Sequence, residues 1–70
     1  MIPVTRLNNE GFFLNPDKIE FIEETPDTVV SMESGRKQVV LEPAMVLQER
    51  IIAYRRAVFL GLPLAFERKT

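Results

Sequence analysis

The sequence predicts an α+β fold that is mainly β. Residues 2–41 form a small antiparallel five-stranded meander or partly closed barrel, and one C-terminal amphipathic helix follows over 43–60. Three observations carry this expectation. Five short runs rich in β-branched and aromatic residues lie within the first 41 positions. Each is separated from the next by Asn, Gly, Pro or Asp, the spacing of hairpin-linked strands. After Glu42-Pro43 the apolar period lengthens from two to that of a helix.

The first run, Ile2 to Leu7, alternates as an edge strand does, and Pro3 near its start has no ladder donor to lose. Asn8-Asn9-Glu10-Gly11 is turn chemistry, because Asn and Gly tolerate left-handed backbone. Phe12-Phe13-Leu14 returns as a second strand, and Asn15-Pro16-Asp17 redirects the chain with room for one helical turn. From Lys18 to Glu24 the alternation puts Ile19 and Phe21 on a buried face and Ile22 on a partly polar one. Thr25-Pro26-Asp27 is a turn with Pro at its second position. Thr28 to Met32 is the fourth strand, Ser34-Gly35 the next hairpin, and Lys37 to Leu41 the fifth strand.

Glu42-Pro43 opens the helix, with Pro suited to the first turn and a carboxylate near the positive end of the dipole. Leu47, Ile51, Tyr54 and Val58 form one helical stripe, and Arg55 and Arg56 fall late, where cations suit the negative end. Gly61 and then Pro63 stop it. A second apolar set, Met45, Ile52 and Phe59, is spaced by seven. It is either the flank of a wide core stripe or a subunit contact. The apolar stretch Leu62-Pro63-Leu64-Ala65-Phe66 favours the contact, since it would be an exposed patch on a lone subunit. The expected interface is therefore Met45, Ile52, Phe59, Leu62, Leu64 and Phe66. The organisation is one domain over 1–61 and a tail, apolar then basic, over 62–70.

Seventy residues bury only about 60% of their unfolded surface, so a lone subunit is marginal. The usual supports are disulfides, a metal or self-association. With neither Cys nor His in the chain, self-association remains, and a homo-oligomer is expected. Charge is nearly balanced but segregated. Residues 1–33 hold two basic and seven acidic side chains, a net of −5, and residues 34–70 hold seven basic and three acidic, a net of +4. Such halves are either two solvated faces or the complementary surfaces of neighbouring subunits.

Catalysis has little to work with. The usual base and the usual thiol nucleophile are missing. Ser31 and Ser34 have no activating base near them in sequence, and Glu20, Glu23 and Glu24 read as solvated carboxylates. Gly11, Gly35 and Gly61 are isolated, so no phosphate loop forms. A pI near 5.3 and a single Tyr offer nucleic acid neither an electrostatic footprint nor a stacking platform. No apolar run approaches the ~20 residues of a membrane span, and the N-terminal residues lack the series of regions that marks a signal peptide. The expectation is a cytoplasmic, non-enzymatic protein with no cofactor, no metal and no small-molecule substrate.

Several phrases stand together in an order of their own: Val4-Thr5-Arg6-Leu7-Asn8, then Phe13-Leu14-Asn15, then Ile19-Glu20-Phe21-Ile22-Glu23-Glu24-Thr25-Pro26-Asp27-Thr28. Gly35-Arg36-Lys37, Val39-Val40-Leu41-Glu42 and the late helical Tyr54 complete the set. Over roughly residues 1–58 the chain resembles the FlbD/SwrD family of bacterial flagellar and swarming-motility proteins. It departs from that pattern in the longer first turn, Asn8 to Gly11, and in the extension after Gly61. The resemblance implies an accessory protein near the flagellar motor, at the inner face of the membrane, that supports motor power and swarming. It carries no catalytic residues. On this reading an oligomer presents Thr5, Arg6, Asn8 and the turn Thr25, Pro26, Asp27 and Thr28 to the stator or another motor component, since recognition residues tend to sit on loops held by a rigid sheet. The structural alternative is that Thr25 to Thr28 is only a well-made turn and that Arg6 pairs with Glu20 or Glu24 across strands. The functional alternative is a regulator of flagellar gene expression that binds RNA or a regulatory protein.

Overall fold

The computed structural model describes residues 1–62. Strands β1 (Ile2–Thr5) and β2 (Gly11–Leu14) pair antiparallel, with Val4 opposite Phe12 and Ile2 opposite Leu14. Between them Arg6 N–H donates to Glu10 O at 2.8 Å, and Asn9 takes the positive φ of 72° that closes the turn. A single 3-10 turn, Pro16–Lys18, follows, with the Asn15 side chain accepting from the Asp17 amide at its start. Strands β3 (Ile19–Glu24), β4 (Thr28–Met32) and β5 (Lys37–Val40) make a second antiparallel sheet in the order β3-β4-β5. Helix α1 runs from Ala44 to Leu60.

The elements are those expected, but they form two sheets, of two and three strands, rather than a five-stranded meander or barrel. The reason lies on the far edge of β1. Pro3 has no N–H, and its carbonyl accepts from the Arg50 guanidinium at 2.6 Å. The Thr5 N–H donates to the Glu42 carboxylate at 2.9 Å. Only the Thr5 carbonyl is left for the β5 end, where the Leu41 amide donates to it at 2.8 Å beside one isolated bridge, Arg6 with Val40. Strands β2 and β3 do not pair, because the Asn15–Lys18 turn carries the chain from one sheet to the other. The barrel is not closed.

A second departure is inside β3. The register slips between Ile19 and Phe21, so that Ile19 faces Met32 while Phe21 faces Ser31, leaving Glu20 as an extra residue. A bulge of this kind inverts the alternation downstream of it. Ile22, opposite buried Val30, therefore joins Ile19 against the core, and Phe21 is turned to the exposed outer face. The expected burial of Phe21 is wrong for that reason.

Ile2 and Val4 from β1, Leu14 from β2, Val30 from β4, Val40 from β5 and Leu47 from α1 form the buried core. Ile51 and Tyr54 pack on its margin, but Val58, the last residue of the expected core stripe, is exposed. A 17-residue helix is about 25 Å long, well beyond what four-residue strands can cover. Its C-terminal turns therefore project past the sheets. Arg55 and Arg56 do not reach the last turn. The helix ends on Gly61 in left-handed conformation at φ 69°, with the Leu62 amide donating to Ala57 O at 2.8 Å.

Candidate functional site

Glu42 is the joint of the molecule. One carboxylate oxygen accepts from the Thr5 amide, and the other accepts from the Thr5 hydroxyl at 2.8 Å and from the Arg50 guanidinium at 3.2 Å. Its side chain is only 11% exposed. Burial pushes the Glu42 carboxyl up, but the Thr5 amide and hydroxyl, its own amide and Arg50 outweigh that and hold it below the usual carboxylate value. The expected role of Glu42 at the helix dipole is thus replaced by a three-way clasp of β1, the β5–α1 connection and the helix. It also commits Thr5, expected to face a partner, to holding the fold.

The helix start is capped from elsewhere. The Ala44 amide donates to Glu24 Oε1 at 2.6 Å, so a carboxylate at the end of β3 satisfies one of the free N–H groups of the first turn. This contact fixes the β3–β4 turn beside the helix N-terminus. Neither the Glu24 cap nor the Glu42 clasp had a local signature, because the partners are 20 and 37 positions apart.

Arg6 is positioned differently from either expectation. Its guanidinium lies 3.9 Å from the centroid of the Phe12 ring and reaches Gln38 Oε1 at 3.4 Å, not Glu20 or Glu24. Phe12 and Gln38 belong to different sheets, so Arg6 sits where the two sheets part. An open cleft of about 660 Å³ begins there, lined among others by Arg6, Lys18 and Arg36, with Glu33 as the one acidic lining residue among the described residues. Lys18 and Glu33 approach only to 4.0 Å, with both side chains largely in water, so that pair offsets little of the positive charge.

The strand register brings the expected loops to one rim. Glu24 lies opposite Thr28, Thr28 opposite Val40, and Val40 opposite Arg6. Two strand spacings, about 10 Å, therefore separate the backbone of Arg6 from that of Thr28. Thr28 itself is buried, whereas Thr25, Pro26 and Asp27 are exposed. Asn8 is exposed in the neighbouring turn, and its side chain is spent locally on Glu10. Arg6, Asn8, Thr25, Pro26 and Asp27 are the exposed members of the expected set, Thr28 is buried and Thr5 is half-buried.

Along the outer face of α1, Met45, Ile52 and Phe59 are 71%, 49% and 88% exposed, and Leu62 is exposed beyond the helix end. None of them contributes to the core. Leu64 and Phe66, expected in the same interface, lie outside the described residues. Among the described residues, no group of three or more acidic side chains could hold a metal ion, and no helix is long and apolar enough to cross a membrane.

The family model described as "Flagellar and Swarming motility proteins", FlbD, matches residues 1–59, and the chain belongs to that family. No curated protein and no solved structure matches it.

Proposed function

We propose that this flagellar and swarming-motility protein is a non-enzymatic, oligomeric protein-binding module. It supports motor power from the cytoplasmic face of the membrane by engaging the stator or another motor component. The observation that carries this reading is the rim itself. The backbone of Arg6 lies about two strand spacings from Thr28, at the end of the exposed Thr25–Asp27 turn. The Arg6 guanidinium sits at the mouth of a positively charged cleft, and neither Arg6 nor the turn is part of the buried core. An arginine already ordered on an aromatic ring loses little freedom when it meets a carboxylate on a partner. The core and the clasp position the rim; the helix is free to join subunits.

The test is complementation with Arg6→Ala and Asp27→Ala in a strain lacking the protein, with filaments counted in the same cells. Both variants are expected to keep the thermal unfolding midpoint and fail to restore swarming, with filament number unchanged. Loss of folding would make the two residues structural, and loss of filaments with reduced flagellin message would favour a regulator.

A further inference from the structure

The outer face of α1 carries an evenly spaced apolar line. Met45, Ile52 and Phe59 recur every seven residues, so the line they draw drifts by only about 20° per repeat and stays on one side of the helix for about 21 Å. That side is turned away from Leu47, Ile51 and Tyr54, which face the core. Glu49 and Arg56 flank the line on one side, near opposite ends, and Gln48 and Arg55 flank it on the other. Beyond the sheets the helix is exposed at Val58, Phe59 and Leu60.

We propose that this face pairs with the same face of a second copy, antiparallel, about a two-fold axis passing near Ile52. The proposal rests on the oligomeric part of the reading above and adds its geometry. Turning the helix end for end about Ile52 lays Met45 against Phe59 of the second copy and Ile52 against its counterpart. In an antiparallel pair the same flank of each helix meets, so Glu49 lies beside Arg56 of the second copy, and symmetry supplies that ion pair twice. In a parallel pair in register opposite flanks meet, so Glu49 lies beside Gln48 of the second copy and Arg56 beside its Arg55, and both ion pairs are lost. The occupant of the face is therefore chosen by charge as well as by apolar area. The seam covers Met45, Ile52 and Phe59 of a chain that is too short to be well stabilised alone. The projecting end of each helix lies along the other helix rather than in water.

The 70-residue chain tests this with two measurements. Its lack of cysteine means that Ile52→Cys introduces the only thiol. Helices packed about 8–10 Å apart bring facing Cα atoms on the axis within disulfide reach. Mild oxidation should convert Ile52→Cys largely to a covalent dimer, while Asp27→Cys, on the rim, forms no covalent dimer under the same conditions. In sedimentation, Glu49→Arg and Arg56→Glu should each weaken association about tenfold, and the double reversal should recover it to within about threefold. Singles that weaken association with no recovery in the double would overturn the antiparallel pairing but leave self-association standing. A wild-type chain that sediments as a monomer at tens of micromolar overturns the pairing and the oligomeric reading together, yet leaves the rim testable by the Arg6 and Asp27 variants. Association that ignores the charge reversals and vanishes when residues 63–70 are removed would assign the contact to the tail and overturn the pairing.

Discussion

Glu42→Gln separates the charge of the clasp from its shape. The carboxamide has nearly the volume of the carboxylate, so packing is preserved. One oxygen can still accept from Thr5, but the second position becomes an NH2 facing either the Thr5 amide or the Arg50 guanidinium, donor against donor. Hydrogen bonds to a charged group contribute about 1.5–3 kcal/mol each. The variant loses at least one and is relieved of part of the cost of burying a charge, which leaves a net loss of about 2 kcal/mol. For a domain of this length that lowers the unfolding midpoint by roughly 8–16 °C. The pH dependence has a definite sign. The folded-state pKa of Glu42 is lowered, so its stabilisation is complete above the unfolded-state pKa and is lost as pH falls through the folded one. The gap between wild type and Glu42→Gln should therefore be widest at neutral pH and close on acidification. Urea and thermal unfolding followed by circular dichroism across that range would measure it. A variant as stable as wild type at neutral pH, or a gap that widens in acid, would refute the clasp.

The bulge at Glu20 predicts an inversion of the ordinary ranking of Ile and Phe. Ile22→Ala should cost about 2–4 kcal/mol, because its side chain packs on the core, while Phe21→Thr on the outer face should cost less than about 1 kcal/mol; denaturant midpoints of the two variants would decide it. Gly61→Ala should destabilise by about 1–2 kcal/mol through the left-handed backbone alone, since a Cβ there meets no atom within 4 Å. A thermal midpoint equal to wild type would show that the helix end relaxes.

The local parts of this fold were legible in the sequence, and the long-range parts were not. Asn9, Gly35 and Gly61 act through their own left-handed backbone, and Asn15 through a side-chain bond to an amide two residues on, so residue type revealed them. The bulge was hidden because Ile19-Glu20-Phe21-Ile22 is apolar in both registers, and only pairing with Val30 decides which set is inside. The split into two sheets was hidden because it depends on Glu42 capturing the Thr5 amide, 37 positions away. For the candidate site, Arg6 and the Thr25–Asp27 turn stood out by wording and are exposed, but the cleft beside Arg6 exists only where two sheets fail to close. The helix stripe was visible as a period of seven, and its exposure follows because the sheets present no second face to cover it.

Rotation under load in a clean deletion strain, with filaments counted in the same cells, reaches the central claim most directly. Filaments present in normal number but turning with reduced torque, restored by the wild-type chain and not by Arg6→Ala, is the outcome expected of a motor-associated binding module. Normal torque in the deletion strain, or missing filaments with reduced flagellin message, would contradict it.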